Sequence, residues 1–507
     1  MKHSTGWNFF HRWAGLIVAV FILLFCVSGI ILNHRQFFAD CNVSRKLLPS
    51  GYQIRNYNNG VIKGTLPIDS ASVIAYGNTG LWLTDRDFSK FSDFNAGLPK
   101  GVDKRNIRNV VRTPGNDIWC AAQSGLYHLE NLKWHQTVLP GNEDRITDMT
   151  LSPDSNEIVV LTRSAIYILP SHPDSISIPY RALIGIPAGH TSKVTLFKSV
   201  WMLHSGELFG ITGRLVVDAV AIVISFLCLT GIILFILPYR IRSSMGHLSR
   251  NISYRRMGSI LKWNFRWHDR IGYCTIILTL LLALTGMCLR PPLMVPLVLI
   301  KTSPLPGSCL DNENIWHDKL RGIRWDSSLE RWLISTSEGF ISVDRNFRES
   351  PVMIPADSTP VVSPMGITVF ESGDQSEWII GSFSGLYRWQ PSTGIVTDYF
   401  TGEQAASSGK RGIYSSSGLI SGFSKDLNTS EPVIFDYSTG TQLLQQTDAL
   451  IASQPMSLWN VALELHVGRC YAPVLGIFSE LFIFLSGLLL TLILVSGYII
   501  HRPRKRN

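Results

Sequence analysis

Four stretches of the chain carry no formal charge over a bilayer's thickness, for which about 20 helical residues are needed. They are Trp13–Asn33, Ala219–Tyr239, Ile271–Leu289 and Leu481–Ile500, and each predicts a membrane-spanning helix. The first is long for the apolar region of a signal peptide. No small-x-small cleavage site follows it before Asn33-His34-Arg35, so a retained anchor is expected. Beyond the third, Pro291 to Ile300 is apolar again, but prolines at 291, 292 and 296 predict a re-entrant or interfacial segment. The two long connections read differently. They alternate short apolar runs with glycine turns, the pattern of β-strands.

The polar and apolar pattern occurs twice in the same orientation. Trp7-Asn8-Phe9 precedes the first span and Trp263-Asn264-Phe265 the third. His11 is followed by Gly15 and by Ser28-Gly29, and His268, 257 residues later, by Gly272 and Thr285-Gly286. Leu203-His204-Ser205-Gly206 stands before the second span and Leu465-His466-Val467-Gly468 before the fourth. Within the loops Ser124-Gly125-Leu126-Tyr127 returns as Ser384-Gly385-Leu386-Tyr387, and Asp85-Arg86 as Asp344-Arg345. An ordered series at nearly constant offset is an internal duplication of helix, loop domain, helix.

A shorter period runs inside each loop. An apolar residue stands six or seven positions before a turn residue and a second strand: Val73 to Gly80, Trp119 to Gly125, Ile158 to Ala165, Trp332 to Gly339, Trp378 to Gly385. A degenerate sixth copy surrounds Ser417-Gly418-Leu419. The turns recur every 40 to 46 residues within a half, as in propeller blades. The expected fold is a membrane α-helical four-helix bundle plus an all-β extracytoplasmic domain, propeller-like, with about six blades shared by the two tandem halves. Two separate sandwich-like domains are the alternative. The order expected is the N-terminus and first span (1–35), a β-rich half-domain (36–200) and the second span with its histidine segment (201–240). A basic loop (241–270) and the third span with its proline-rich extension (271–300) come next. The second β-rich half-domain (301–455) and the fourth span with its histidine segment and basic tail (456–507) complete the chain.

Composition fits this reading: of 507 residues 46% are hydrophobic and only 16% charged. The net charge of +9 points to topology, and no nucleic-acid partner is expected. The connection between the second and third spans holds Arg240, Arg242, Arg250, Arg255, Arg256, Lys262, Arg266 and Arg270 against Asp269, and the C-terminal tail carries Arg502-Pro503-Arg504-Lys505-Arg506. Positive loops stay inside, so both termini are expected in the cytoplasm of a bacterial inner membrane and both long loops in the periplasm. Of eight cysteines, Cys26, Cys228, Cys274 and Cys288 fall in apolar spans. Cys41, Cys120, Cys309 and Cys470 face an oxidising compartment, and a Cys41–Cys309 bridge is left open, because sequence cannot give connectivity.

Histidine beside a spanning helix needs a reason. Here it recurs by duplication: His11 and His268 on the inner side, His204 and His466 on the outer. Helices related by a pseudo-twofold axis would oppose each equivalent pair, as bis-histidine ligation of haem b requires, with glycines making room for the ring. The alternative is a set of histidines snorkelling at the headgroups. His34 and His501 have no counterpart in the other half and are alternate ligands, His34 with His204 or His466, or His501 with His268. Asp218 and Glu480 each lie fourteen residues past an outer histidine, about 21 Å of straight helix. Either the spans begin early and carry these acids inside, or the chain bends at Gly210, Gly213 or Pro473. Acids at the helix ends are the simpler expectation.

The signatures His11-Arg12-Trp13-Ala14-Gly15 with Ser28-Gly29, His204-Ser205-Gly206-Glu207-Leu208-Phe209-Gly210 and Glu464-Leu465-His466-Val467-Gly468-Arg469 resemble those of PepSY-associated transmembrane proteins. These are bacterial inner-membrane proteins, many iron-regulated, and they include siderophore reductases with two b haems. The resemblance implies two haems in this chain, held by His204 with His466 and by His11 with His268. It also implies transfer of electrons from a cytoplasmic or quinol donor to a periplasmic acceptor such as a ferric siderophore or other iron chelate. Propeller-like repeats stand where periplasmic PepSY modules are usual, so the acceptor implied by relatives is open. The other function class is a membrane-anchored sensor or accessory protein whose β-domain binds a ligand or protein partner. An iron permease is weaker, because four spans are few for a transport path.

Overall fold

The computed structural model describes residues 2–141, 145–173, 178–244, 252–363, 365–374, 376–405 and 418–501. Part of the basic loop, the basic tail beyond His501 and Ser417 of the sixth repeat lie outside the described residues. The chain forms two compact units. One comprises Met1–Phe38, Ser192–Asn312 and Leu458–Asn507, the other Ala39–Thr191 and Glu313–Ser457. Each unit therefore draws on both halves of the duplication.

The helical unit contains α1 (Lys2–Asn33), α2 (Leu196–Ser205), α3 (Gly210–Ser244), α4 (Ile252–Cys274), α5 (Ile276–Met287), α6 (Met294–Leu299), α7 (Leu458–His466) and α8 (Ser479–His501). Three segments among the described residues are long and apolar enough to cross a membrane: Gly6–Asn33, Glu207–Arg242 and Arg469–His501. The third expected span is a correction. Ile271–Leu289 is not one straight helix: α4 and α5 are bent by 69° at Thr275, and they make a fourth crossing only if the pair counts as one. The hydroxyls of Thr275 and Thr279 donate back to Ile271 O and Thr275 O at 2.8 and 3.1 Å, a contact that bends helices. The proline-rich extension yields only the six-residue α6.

Helix α1 packs on both α3 and α8, α5 on α8, and α4 on α3. Their shared core is thin, Val18, Ile22 and Cys26 of α1 against Val220, Ala221 and Ile224 of α3. Ile17, Val20, Leu24, Ile222, Leu229, Leu281 and Leu485 point outward, as suits helices solvated by lipid chains. The chain turns sharply before α3 and α8. Gly206 (φ 80°) and Gly210 (φ 63°) occur on one side of the duplication and Gly468 (φ 85°) and Gly476 (φ 55°) on the other, a backbone region open to glycine at no steric cost.

Among the described residues the second unit holds six blade-like antiparallel sheets and one short pair, Asn42–Val43 with Met456–Ser457. In the first, Gly64–Pro67, Ser72–Gly77, Gly80–Asp85 and Phe91–Asp93 pair in sequence order. The sheets opening at Ile107, Ile146, Leu320 and Val369 repeat that order with four strands each. The sixth shows two strands, Ile420–Ser424 and Val433–Asp436. Five of the predicted short repeats are the middle hairpins of the four-stranded sheets. The sixth repeat is displaced: Gly418 precedes an inner strand, and the seven-residue spacing runs from Val433 to Gly440 (φ 75°).

Each sheet is joined to the next by its own apolar cluster. Ile74 and Trp134 mark the join of the first and second sheets, Trp119 and Tyr167 that of the second and third. Ile166 and Trp332 link third to fourth, Phe340 and Trp389 fourth to fifth, Val369 and Phe423 fifth to sixth. Val433 and Phe435 of the sixth pack with Val73 and Trp82 of the first. The order of contacts is thus cyclic and propeller-like. All eight cysteines are free thiols.

Candidate functional site

The helical unit brings the duplicated histidines together in two pairs. His11 of α1 and His268 of α4 have ring centres 6.1 Å apart, and so do His204 of α2 and His466 of α7. A metal takes an imidazole nitrogen at about 2.0 Å. The ring centre lies about 1 Å further, so two imidazoles in line on one ion stand about 6 Å apart. Both pairs have that spacing.

Four equivalent seats hold the rings. His11 Nδ1 lies 3.0 Å from both Ser496 Oγ and Ile493 O, and His466 Nδ1 lies 3.0 Å from both Ser28 Oγ and Phe25 O. His268 Nδ1 meets Thr230 Oγ1 at 2.8 Å, and His204 Nδ1 meets Thr285 Oγ1 at 3.1 Å. The carbonyls of Leu227 and Leu282 accept there as Phe25 and Ile493 do. In every seat the hydroxyl proton is already donated to a carbonyl of its own helix, at 2.7 to 2.8 Å. The remaining partners of Nδ1 can only accept. Nδ1 therefore carries the proton, and the lone pair is left on Nε2, the nitrogen that can bind a metal.

A glycine follows the hydroxyl residue in each seat and clears the ring. A Cβ built on Gly286 would stand 2.7 Å from His204 Cε1, on Gly497 3.1 Å from His11, on Gly29 3.2 Å from His466 and on Gly231 3.6 Å from His268. Beside the outer pair an apolar cavity of about 280 Å³ is lined by Leu203, Gly206, Phe209, Val220, Leu282 and Thr285, among others. Imidazole pairs at this spacing, a fixed tautomer, ring clearance and a neighbouring apolar cavity are features that would suit a haem held by two histidines. No cluster of three or more His, Cys, Asp or Glu side chains able to hold a bare metal ion occurs among the described residues. Along α1, His11 and Ser28 lie 17 positions apart, about 25 Å of helix, most of an apolar layer about 30 Å thick.

The alternates go elsewhere. His34 Nε2 meets Asp218 Oδ2 at 2.6 Å, and His501 Nδ1 meets Asp269 Oδ1 at 2.8 Å. Each is engaged by a carboxylate. Asp218 corrects the expectation of an acid at a helix end. It lies inside the Glu207–Arg242 segment, is 8% exposed, and also accepts from Asn33 Nδ2 at 3.0 Å. Glu480 does sit in the first turn of α8, exposed. The outer histidines reach their places because the chain reverses at Gly206 and Gly468, so α2 and α7 do not continue into the spans. Sequence reasoning missed Thr230-Gly231 and Ser496-Gly497. The available signal was a hydroxyl residue followed by glycine in each apolar stretch, although the fourth offers two, Ser486-Gly487 and Ser496-Gly497.

A sequence model of the PepSY-associated TM region matches residues 236–504, just over half of the chain. No curated protein matches. Among solved structures the chain is similar to the extracellular domain of the putative hybrid two component system BT4673 from B. thetaiotaomicron, at 9% identity and a TM-score of 0.36, covering 80% of this chain and 38% of that one. It is similar to the C-terminal WD40 domain of Sif2 at 6% identity and a TM-score of 0.33, covering 78% of this chain and 97% of that one. The β-propeller domain of Cps50 (Swd1) from Myceliophteria thermophila gives 8% identity and a TM-score of 0.31, with 77% and 100% covered.

Proposed function

Because this chain belongs to the PepSY-associated TM family, we propose that it is a transmembrane oxidoreductase holding two b-type haems, which passes electrons across the bacterial inner membrane to a periplasmic acceptor. His11 with His268 would hold the inner group, and His204 with His466 the outer. When bound, each haem supplies a one-electron carrier. The chain's own residues do the positioning: four Ser/Thr hydroxyls and four carbonyls fix Nδ1–H, and four glycines admit the rings. The reading takes the spanning helices as a four-helix bundle and the six sheets as one six-bladed propeller shared by both halves. By the excess of basic residues, the basic loop and both termini would lie in the cytoplasm and the propeller outside, where a ferric siderophore or other iron chelate would accept electrons from the outer site. The donor would be a cytoplasmic or quinol reductant.

The observation that carries this proposal is the fourfold histidine seat, in which equivalent residues of two halves meet in pairs at metal-ligation spacing. The purified chain is expected to show a b-type reduced-minus-oxidised spectrum with about two haems per chain by pyridine haemochrome. His204→Ala and His466→Ala are each expected to leave one haem and to abolish reduction of a ferric chelate. A colourless preparation from haem-sufficient cells would overturn the proposal.

A further inference from the structure

The β-unit has a polar centre that the membrane chemistry does not use. In four sheets the innermost strand carries a β-bulge, where pairing skips one residue: Arg108, Thr147, Arg321 and Ser421. Lys63 and Thr368 hold the same place in the other two sheets, donating their N–H to Tyr76 O and Gly381 O at 2.7 and 2.8 Å. Bulges re-aim side chains and concentrate beside functional sites. Here five of the six positions, Lys63, Arg108, Thr147, Arg321 and Thr368, line a single cavity of about 40 Å³. None of the six positions carries an acid.

The rest of the lining leaves the positive charge in excess. Arg324, Asp148 and Glu371 also face the cavity, making four basic groups against two acids. Asp148 is committed, accepting from Arg324 Nη1 at 2.7 Å and from Ile323 N at 2.9 Å. Lys63 donates its ammonium to neutral oxygens, Asn106 Oδ1 at 2.5 Å and Ile107 O at 3.0 Å. Burial, and then the neighbouring Arg108 charge, pull Lys63 well below the usual lysine range. Burial lowers Arg321 to about 10, with Arg163 adding to the effect. Thr147 and Thr368 already donate their hydroxyls to main-chain carbonyls, so recognition would fall to the three cations.

We propose that this bulge-built ring of Lys63, Arg108 and Arg321 is a binding site for a small oxyanion, a phosphate or the carboxylate end of an organic acid. Guanidinium and ammonium groups converging from three sheets match a compact anion with several acceptor oxygens. The free volume exceeds the 10–15 Å³ one water needs and suits a group of a few atoms. This site is independent of the haem reading and would stand without it.

The test is calorimetric titration of the full chain in detergent with inorganic phosphate and, separately, with a tricarboxylate, alongside thermal unfolding. At least one anion is expected to bind and to raise the melting temperature, and Lys63→Met should weaken that binding at least tenfold. Binding of both would identify a general oxyanion site, and binding of one alone would name the source. Lys63→Arg keeps a charge and should retain binding, which guards against a misfolded Met variant. Neither anion binding at millimolar concentration to a folded wild-type chain would overturn the proposal, as would equal binding by wild type and Lys63→Met.

Discussion

A single methyl group at Gly286 separates the proposed seat from a chance meeting of rings. In Gly286→Ala the new Cβ would lie 2.7 Å from His204 Cε1, 3.4 Å from Nδ1 and 3.5 Å from Nε2. Ordinary contact begins near 3.4 Å, so the ring must retreat by about 0.7 Å or the helix must shift. Overpacking of this kind costs about 1–3 kcal/mol. At 1.4 kcal/mol per decade, affinity at the outer site should fall roughly five- to 150-fold. Alanine also improves helix propensity by about 1 kcal/mol over glycine, so the fold should not suffer in proportion. Gly231→Ala is the control, because its Cβ would stand 3.6 Å from His268 Cε1, an ordinary contact. The assay is pyridine haemochrome content per chain after washing with a haem-binding apoprotein, with the reduced spectrum recorded in parallel. Gly286→Ala should keep about one haem and Gly231→Ala about two. Two haems with an unshifted band in Gly286→Ala would refute the seat geometry.

Two further predictions concern stability. Asp218→Ala leaves Asn33 Nδ2 and His34 Nε2 without their acceptor, which should cost about 1–3 kcal/mol. Most of this should come from Asn33, because the His34 side chain is 40% exposed and can turn to water; a cycle with Asn33→Ala that adds within about 0.5 kcal/mol would disprove the coupling. In the β-unit the Ser152 hydroxyl, 2.6 Å from Asp154 Oδ1, is the main cause holding that carboxyl below its usual range. A depressed folded value means that the contribution is present above about pH 4, the unfolded carboxylate range, and is lost as pH falls through the folded value. The difference in melting temperature between wild type and Ser152→Ala should therefore be larger at pH 5 than at pH 3, and a constant difference would contradict it.

Much of the architecture was legible because duplication prints the same signal twice. The equivalence of His11 with His268 and of His204 with His466 could be read from offset alone, and five hairpins from their apolar-to-glycine spacing. What stayed hidden depended on backbone direction. The sequence offered bends at Gly210, Gly213 and Pro473, but nothing in Leu203-His204-Ser205-Gly206 announces the turn that Gly206 makes. Asp218 itself reads as a helix-end acid until Asn33 and His34 are seen across from it. The bend at Thr275 was equally silent, because threonine is unremarkable in an apolar run until its hydroxyl returns to Ile271 O. Thr230-Gly231 and Ser496-Gly497 passed as ordinary small residues, because each acquires meaning only from an imidazole delivered by another segment. The ring of Lys63, Arg108 and Arg321 was invisible for the same reason: bulges are not encoded by composition, and the three residues lie on separate sheets.

The paired histidines are marriages between halves. His11 needs His268, His204 needs His466, and the apolar joins at Trp332 and at Phe435 each unite a strand of the first copy with one of the second. A chain of half this length, before its gene doubled, would have had one histidine of each pair and three sheets with two bare flanks. On the proposed reading, such a chain would complete its histidine pairs and its sheet joins only as a symmetric homodimer. Divergence of the two copies would then leave corresponding places with unlike side chains, as at Arg108 and Thr368, 260 residues apart.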